Sequence, residues 1–242
     1  MKLVMFPGTA VRRPLVFFLS AEEYLARRCD EELFMVWRVP PTVILGRNQV
    51  MEAEVDMPYC RQEGIAVFRR KSGGGCVYAD MGNIMVSAVT SGNDKAALFS
   101  RFISGFALFL RNCGFDAWPS GRNDILVSGK KVSGSAFYSI GRRNVIHATL
   151  LCNVDLEKMQ RAITPPAEKL LRKGVASVRQ RVANLSDFAP VDTDSMAQAV
   201  AAAFCDGERM LSVQETGAVE EIMEGYLDEK FIAGRRPSRK ET

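Results

Sequence analysis

Three cationic side chains run directly into a series of glycines in the first half of the chain. Arg69, Arg70 and Lys71 are followed by Ser72 and by Gly73–Gly75. Three consecutive glycines bury no side chain and raise the entropy cost of ordering the backbone, so they usually mark a backbone that takes positive φ or that a ligand approaches closely. Backbone N–H groups beside guanidinium and ammonium groups favour negative charge. The chemistry indicated is the binding of an anionic ligand.

The glycines lie between two apolar segments that are typical of strands. Ile65–Phe68 precedes them and Cys76–Tyr78 follows them, and both segments are rich in β-branched or aromatic residues. The spacing matches neither G-x-x-x-x-G-K-[ST] nor a G-x-G-x-x-G between a strand and a helix. A ligand-binding loop and a flexible glycine hairpin with solvated charges are both open from this stretch alone.

A second polar segment reads GRNDILVSGKKVSGSAF. Alternation along a strand puts its Lys131 on the face opposite Val132 and turns Lys130 toward solvent. Asn123 and Asp124 carry hard oxygen ligands of the kind that Mg²⁺ prefers. Taken alone, a lysine pair is equally typical of an exposed strand end, and an Asn-Asp pair before a strand is equally typical of a turn or cap.

Three segments together resemble the lipoate–protein ligase A family. They are RRKSGGGCVYADMGN at 69–83, the GRND and GKKVSG segment at 121–137, and HATLL at 147–151. The resemblance spans residues 17–190, and its motifs are specific in combination. It implies an enzyme that activates lipoate with ATP to lipoyl-AMP and transfers the lipoyl group to a lysine of an acceptor lipoyl domain. It also implies the biotin and lipoate ligase catalytic-domain fold.

The resemblance also implies roles for individual residues. Lys131 would be the catalytic cation that contacts the lipoyl carbonyl and the α-phosphate, where negative charge develops as pyrophosphate leaves. Arg70 would hold the anionic end of the ligand, and Gly75–Tyr78 would wrap the nucleotide. Asn123 and Asp124 would hold Mg²⁺ near the phosphates. The residues implied to bind ATP or lipoyl-AMP are Arg70, Ser72, Gly73, Gly74, Gly75, Cys76, Val77, Tyr78, Asn83, Lys131 and His147.

Several departures from the family pattern bear on activity. Ala79 stands where the family usually has His, Cys76 replaces Ala, and Ala148 replaces Gly. The chain also ends at Thr242, whereas the longer ligases carry a C-terminal accessory domain that closes over the adenylate. We therefore expect transfer from lipoyl-AMP to proceed readily and activation of lipoate to need a small accessory protein. His147 is as typical of a hydrogen-bonded structural residue as of a ligand contact.

Composition and charge narrow the class of partner. The chain has 242 residues, 47% of them hydrophobic and 25% charged, enough to bury a core without disulfides or metals. A net charge of +4 is too small to indicate a nucleic-acid partner and fits an acidic protein. The acceptors that the resemblance implies, acidic lipoyl domains of 2-oxoacid dehydrogenase E2 and the glycine cleavage H protein, are partners of that kind.

Cysteine usage and hydropathy predict the compartment. The six cysteines include no C-x-x-C pair, which is typical of reduced thiols. No segment is long and apolar enough to act as a signal peptide or to span a membrane. The sequence thus predicts a cytoplasmic protein with neither a nucleic-acid nor a membrane partner.

Periodicity and turn residues predict an α+β fold with mixed, mostly antiparallel sheets flanked by helices. We expect residues 1–242 to form a single catalytic domain, with the core motifs in 17–190, C-terminal helices in 191–230 and a basic tail in 234–242.

Local signals place the individual elements. Ser20 and Glu23 match an S-x-x-E capping box, which predicts a helix from there to Cys29 with its acids in the first turn. Thr42–Leu45 is predicted to pair antiparallel with the strand Phe34–Val39, and 51–63 to form one short helix. The other predicted elements are strands at 83–90, 125–127, 131–138 and 144–153 and helices at 98–110, 155–163, 167–171, 194–206 and 216–230.

Two other functions are open. An octanoyl or lipoyl transferase that works without ATP would need an acyl-forming cysteine, and neither Trp118-Pro-Ser nor Ile163-Thr-Pro-Pro contains one where related transferases do. Cys76 lies in the glycine segment, at a position that the ligases fill with Ala. A non-enzyme alternative is a subunit that binds an adenylate and requires a partner. ATP–pyrophosphate exchange that depends on lipoate separates the three functions.

Overall fold

The structure is a computed structural model that describes residues 1–8, 13–121, 123–163 and 181–234. Within those residues the strands are β1 (Lys2–Met5), β2 (Leu33–Trp37), β3 (Thr42–Leu45), β4 (Ala66–Arg69), β5 (Val77–Ala79), β6 (Asn83–Ser91), β7 (Ala117–Ser120), β8 (Asp124–Val127), β9 (Lys130–Ile140), β10 (Arg143–Leu151) and β11 (Gly207–Met210). The helices are α1 (Leu15–Arg28), α2 (Met51–Glu54), α3 (Met57–Gln62), α4 (Lys95–Asn112), α5 (Leu156–Ala162), α6 (Thr193–Phe204), α7 (Val213–Leu227) and α8 (Glu229–Ala233). The α+β class that the sequence predicts is confirmed.

The larger sheet is the central layer of the fold. In the described part of the chain it has eight strands in the order β11-β1-β2-β6-β10-β9-β8-β7, with β1 parallel to both its neighbours and the other pairs antiparallel. Alternation along β2 shows how it is covered: Leu33 packs with α1 and α7, whereas Phe34 packs with α4 and α6. At its centre, His147 of β10 lies between Ser87 of β6 and Ala136 of β9.

The described helices from α4 onward are close to their predicted positions. α4 buries Phe106 and Leu110 against the sheet, as their four-residue spacing predicts. The helix expected at 216–230 is divided at Asp228, whose carboxylate caps α8 by accepting from the Lys230 N–H (2.9 Å). The predicted helix 167–171 and the tail beyond Gly234 lie outside the described residues. Within those residues, no helix combines the length and the apolar character needed to cross a bilayer.

The pairing predicted between β3 and β2 is wrong. β3 is the middle strand of a smaller sheet, β4-β3-β5, in which β4 is parallel and β5 antiparallel to it. Both edges of β2 are taken by β1 and β6, and the Pro40-Pro41 turn carries the chain away from them. The single helix expected at 51–63 is two helices, α2 and α3, because the intervening Val55 is extended and bridges to Ile163.

The connection from β4 to β5, residues 70–76, is here called the glycine loop. It is not a hairpin, because β3 lies between the two strands and the loop must cross the end of β3. At the crossing the Arg47 N–H donates to the Ser72 carbonyl (2.9 Å). A Cβ on Gly46 would stand 2.2 Å from the Gly74 carbonyl oxygen. The missing side chain at Gly46 therefore lets the two backbones approach each other.

The first helix begins earlier than predicted. α1 starts at Leu15, and Ser20 lies in its middle and makes no cap, so the expected capping box is wrong. The apolar run that precedes Ser20 is the first turn of the helix and is buried in the core. Glu22 and Glu23 consequently lie in the buried half of the helix, 0% and 4% exposed, and not in a solvated first turn.

Arg69 fixes the last helix against the turn that follows β3. The residue is 1% exposed, and its guanidinium donates to the carbonyls of the last three residues of α8 at 2.9–3.0 Å. The same group donates to the carbonyls of Gly46 and Gln49, each at 2.8 Å. A cation at a helix C-terminus satisfies carbonyls that have no partner within the helix and opposes the helix dipole. The C-terminal helix and the loop crossing are thus held by one side chain.

We predict that Gly46→Ala lowers the free energy of unfolding by about 2 kcal/mol or more, because the new methyl group meets the Gly74 carbonyl and one backbone must move. Gly73→Ala is the matched control, since a Cβ there has nothing within 4 Å, and it should change stability by less than about 0.5 kcal/mol. Urea denaturation measures both. Equal stability of the two variants would contradict a tight crossing.

Candidate functional site

A cavity of about 200 Å³ lies where the glycine loop meets the central strands. Its walls come from helices α1, α2 and α5 and from strands β2, β3, β5, β6, β8, β9 and β10. The residues predicted to bind ligand or metal that line it are Arg70, Gly74, Gly75, Cys76, Val77, Tyr78, Asn123, Asp124, Lys131 and His147. The fold thus brings together two polar segments that are about fifty residues apart in sequence.

Three of the predicted residues are not part of the cavity wall. Within the glycine loop, Ser72 is buried and Gly73 is exposed to solvent. Asn83 is fully buried at the start of β6, where its Nδ2 contacts the Met85 sulfur (3.3 Å). Direct ligand contact by these three residues stays a prediction. Ser72 supports the cavity wall indirectly, because its hydroxyl contacts both Arg70 and His147.

Arg70 holds the glycine loop from within. Its guanidinium donates to the carbonyls of Ile44 (3.1 Å), Gly73 (2.8 Å) and Gly75 (2.8 Å) and to Ser72 Oγ (2.9 Å). Burial lowers the pKa of Arg70 to about 10, so the side chain stays protonated near neutral pH. The charge predicted to hold a ligand is therefore already engaged in shaping the loop that lines the cavity.

A buried hydrogen-bonded chain leads from the glycine loop to α1. Ser72 Oγ lies 2.8 Å from His147 Nε2, and His147 Nδ1 lies 3.2 Å from each oxygen of Glu22. The Glu22 carboxylate also accepts from Ser87 Oγ (2.5 Å) and from the Tyr138 hydroxyl (3.2 Å). We call Ser72, His147, Glu22, Ser87 and Tyr138 the Glu22 network. Its carboxylate is satisfied on both oxygens, as a buried charge requires.

For a neutral His147, the hydrogen bonds of this chain run in one direction. Arg70 has no acceptor atom, so Ser72 Oγ accepts from it and gives its own hydrogen to His147 Nε2. His147 then carries its proton on Nδ1 and donates it to Glu22. A cation and a carboxylate stand at the two ends, and each bond polarises the next. His147 is therefore a hydrogen-bonded structural residue and part of the cavity wall at once.

Lys131 faces the cavity and pairs with Asp124. Its Nζ lies 2.7 Å from Asp124 Oδ1, and Arg181 contacts the other carboxylate oxygen. Burial lowers the pKa of Lys131, and the pairing with Asp124 opposes that effect without cancelling it. Val132 is fully buried on the other face and Lys130 is exposed, so the predicted alternation is confirmed.

A β-bulge decides where the ammonium group of Lys131 lies. In the pairing of β8 with β9, Ile125 opposes Ser133 but Leu126 opposes Lys131, so β9 has one extra residue at this point. The side chain of Lys131 consequently lies over Gly134, where a Cβ would stand 2.5 Å from Nζ. Gly134 leaves the space that the ammonium group occupies.

Asn123 and Asp124 offer a partial set of magnesium ligands. Asn123 Nδ2 donates to the Ser135 carbonyl (3.0 Å), and Asp124 holds two cations. Among the described residues, no group of three or more His, Cys, Asp or Glu side chains is placed to hold a metal. Mg²⁺ is commonly bound by one or two protein oxygens together with substrate phosphates and waters. The pair therefore fits a magnesium–phosphate complex better than a metal held by protein alone.

Apolar side chains form much of the remaining wall. One set belongs to the core around α1 and consists of Leu15, Leu19, Trp37, Ile44 and Met85. A second set belongs to the core of the smaller sheet and α5 and consists of Tyr78, Leu151, Met159, Ile163 and Val182. Together with the cationic groups of Arg70, Lys131 and Arg181, these walls suit an amphipathic ligand that carries negative charge.

The departures from the family pattern lie in different places. Cys76 and Ala148 line the cavity. Ala79 is fully buried in the core around α1 and is not part of the wall.

Sequence reasoning missed several residues of the site, including Glu22, Trp37 and Arg181. Starting α1 at Leu15 would have put Leu15, Leu19 and Glu22 on one helix face, at positions i, i+4 and i+7. The sequence predicts that Trp37 lies in a strand, but no signal in it indicates a ligand contact. The sequence around Arg181 carries no motif.

Comparison with protein families matches residues 15–205 to the lipoyl protein ligase A/B catalytic domain. The chain is 35% identical over 224 residues to lipoate–protein ligase A of Psychrobacter cryohalolentis, a match that covers 90% of this chain and 65% of that protein. Against other curated relatives, the chain spans about half of their length.

Solved structures agree with the family match. The chain is similar to a bi-partite lipoate–protein ligase from Thermoplasma acidophilum, described with its E2 lipoyl domain, with a TM-score of 0.83, 29% identity and 98% of each chain covered. It is similar to a lipoate–protein ligase A bound with ATP, with a TM-score of 0.81, 27% identity and coverage of 96% of this chain and 98% of that one. The predicted lipoate ligase fold is confirmed, and this chain belongs to the lipoyl protein ligase A/B catalytic-domain family.

Proposed function

We propose that this chain is an ATP-dependent lipoate–protein ligase, which activates lipoate to lipoyl-AMP and transfers the lipoyl group to a specific lysine of an acceptor lipoyl domain. The observation that carries the proposal is the presence of the Lys131 ammonium group, the glycine loop and a large apolar wall in one cavity. Family membership supports it, as do relatives named lipoate–protein ligases, one of them bound with ATP.

The apolar wall around Trp37 suits the hydrocarbon chain and dithiolane ring of lipoate. Each buried CH₂ group contributes about 0.8 kcal/mol, so a wall of this kind can hold the tail without polar contacts. The carboxylate at the other end would face the cationic side of the cavity, where Lys131 and Arg70 lie. Lipoate bound in this orientation presents its carboxylate to the nucleotide.

In the first step, a carboxylate oxygen of lipoate attacks the α-phosphorus of ATP, the bond to the bridging oxygen breaks, and pyrophosphate leaves. Negative charge grows on the phosphoryl oxygens, and the fixed cations of Lys131 and Arg181 stabilise it. N–H groups of the glycine loop supply further donors, held in place by Arg70. Mg²⁺, held by Asn123 and Asp124 together with phosphate oxygens, would neutralise charge on the departing pyrophosphate.

In the second step, the deprotonated amine of the acceptor lysine attacks the acyl carbon, the bond to AMP breaks, and an amide forms with loss of a proton. Lys131 beside the acyl oxygen stabilises the oxyanion of this step as well. Water must be kept from the mixed anhydride, which hydrolyses readily. The buried walls of the cavity serve that purpose.

The proposal includes partners and a location. The acceptors are acidic lipoyl domains of 2-oxoacid dehydrogenase E2 and the glycine cleavage H protein; the relative described with its E2 lipoyl domain supports the first of these. That relative is also described as bi-partite, which supports a separate small accessory protein for the activation step. The reaction takes place in the cytoplasm.

A transferase that works without ATP is the second candidate, and the position of Cys76 in the cavity wall favours it. A thiolate there could carry the acyl group as a thioester before passing it to the acceptor lysine. A ligase keeps its activity in Cys76→Ser, whereas a transferase of this type loses it.

Lipoate-dependent ATP–pyrophosphate exchange tests the proposed function. We expect exchange that requires lipoate, with the purified chain alone or after addition of the accessory protein. An ATP-independent transferase shows no exchange but modifies an acceptor from an acyl thioester donor, and a binding subunit does neither. Either outcome would overturn the ligase assignment. Feeding lipoyl-AMP directly should modify the acceptor whether or not an accessory protein is present.

We predict that Lys131→Ala lowers the rate of lipoyl-AMP formation by roughly a hundred- to a thousandfold while the chain stays folded, because it removes a fixed charge from the transition state. Lys130→Ala is the matched control, since this neighbour is exposed and does not line the cavity. Exchange assays and circular dichroism measure the two effects. If Lys131→Ala kept the activity of Lys130→Ala, the catalytic assignment would be wrong.

We predict that Glu22→Gln lowers lipoyl-AMP formation roughly 10- to 100-fold, because a hydrogen bond to a charged group contributes about 1.5–3 kcal/mol and this one fixes His147. Glu23→Gln is the control: its carboxylate is also buried but pairs with Lys71 and Arg27 and does not contact His147. The loss of exchange should appear in Glu22→Gln alone. Equal exchange in the two variants would show that the contact between Glu22 and His147 does not support activation.

A further inference from the structure

A second cavity, of about 650 Å³, borders the Glu22 network at Tyr138. The proposed reaction makes no use of it. Its cationic side chains, here called the basic rim, are Arg27, Arg47, Lys71 and Lys95. The other residues that line it are Glu23, Phe137, Tyr138, Ser139, Ile140 and Phe231.

The basic rim carries an excess of positive charge. Glu23 pairs with both Lys71 (2.5 Å) and Arg27 (2.7 Å). Arg47 and Lys95 are exposed and form no ion pair within the described ranges. Four cations around one carboxylate leave a formal excess of three positive charges. The side chains of Arg27 and Lys71 are 55% and 38% exposed, so much of this charge faces solvent.

The basic rim adjoins the ligand cavity in two ways. Lys71 belongs to the glycine loop, and the Arg47 N–H donates to a carbonyl of that loop (2.9 Å). Tyr138, which lines the second cavity, donates to Glu22, and Glu22 also holds His147 in the wall of the first. A partner on the rim therefore contacts the same loop and network that shape the ligand cavity.

We propose that the basic rim is the docking surface for an acidic face of the acceptor protein. This inference rests on the proposed function, which requires a protein whose lysine reaches the acyl group. Solvated, half-exposed cations suit carboxylates on another protein's surface, whereas a small anion is usually held by buried donors. Phe137 and Phe231 add the aromatic contact area that is common in protein interfaces. A partner that covers about 800 Å² extends well beyond one cavity.

Docking through exposed charges changes the rate of association with the acceptor more than the rate of the chemical steps. Exposed charges attract an oppositely charged surface before contact, and the attraction is screened beyond about 10 Å at 0.1 M salt. Removal of the charge should therefore raise the KM for the acceptor and lower the salt dependence of transfer. Activation of lipoate, which involves no acceptor, should not change.

The test compares two double charge reversals. The first double variant carries Arg47→Glu and Lys95→Glu and alters the basic rim. Arg61→Glu with Arg101→Glu is the matched control, with the same change in net charge at exposed positions outside both cavities. Hydroxylamine traps lipoyl-AMP as a hydroxamate and reports activation without any acceptor. Transfer to a purified apo lipoyl domain with an acidic surface reports the second step, and the affinity for that domain is measured separately, without ATP or lipoate.

We expect the rim variant to lose tenfold or more in kcat/KM for the lipoyl domain at low salt, since a few opposed charge pairs change association rates by about 10- to 1000-fold. Its hydroxamate yield should equal that of the control. Reversing carboxylates of the lipoyl domain to lysine should restore transfer in the rim variant.

Each other outcome overturns the inference. Equal transfer and equal affinity in the two double variants would show that the acceptor docks elsewhere, while hydroxamate formation would leave the ligase assignment standing. Loss of hydroxamate with unchanged affinity for the domain would assign the rim to a small anion such as the nucleotide. If the unmutated protein made no hydroxamate even with the accessory protein added, the proposed function would fail, and the affinity measurement would still decide the docking surface.

Discussion

The rest of this structure depends on one crossing, at which the glycine loop passes over the end of β3. Gly46 supplies the room for two backbones to meet, and Arg70 supplies the donors that satisfy the carbonyls of the loop. A buried guanidinium is costly unless its N–H groups find acceptors, and this one makes four hydrogen bonds. The loop that lines the ligand cavity is therefore held from inside the protein by one buried side chain.

A second buried charge balances the first. Glu22 stands on α1, at the other end of the hydrogen bonds that lead through Ser72 and His147 to Arg70. Replacing buried ionic groups by well-packed apolar residues is often neutral or stabilising, so such a network is weak support for stability by itself. The network instead fixes the positions of α1, β10 and the glycine loop relative to one another, and these three elements form separate walls of the cavity.

The two cavities share both charge sign and structural support. In the ligand cavity, Lys131 and Arg181 both pair with the carboxylate of Asp124, and in the second cavity Arg27 and Lys71 of the basic rim both pair with Glu23. Each arrangement leaves positive charge unbalanced and so favours an anion: a phosphate or carboxylate in the first and an acidic surface in the second. The Glu22 network touches both cavities, through His147 in one and Tyr138 in the other.

The sequence by itself determined the α+β class, most strand and helix positions, the glycine loop and the alternation that separates Lys131 from Val132, because these depend on local periodicity and on motifs. Its resemblance to lipoate ligases identified the family. Only the tertiary structure decided that β3 leaves β2 for another sheet, since strand partners are set by contacts between distant segments. It alone placed Glu22 in the site and, through a β-bulge, Lys131 over Gly134. A one-residue register shift leaves no trace in the sequence period, because contacts between strands set it. The helical period places Glu22 beside Leu15 and Leu19 only once α1 is known to start at Leu15, and the buried partners of its carboxylate come from other elements of the fold.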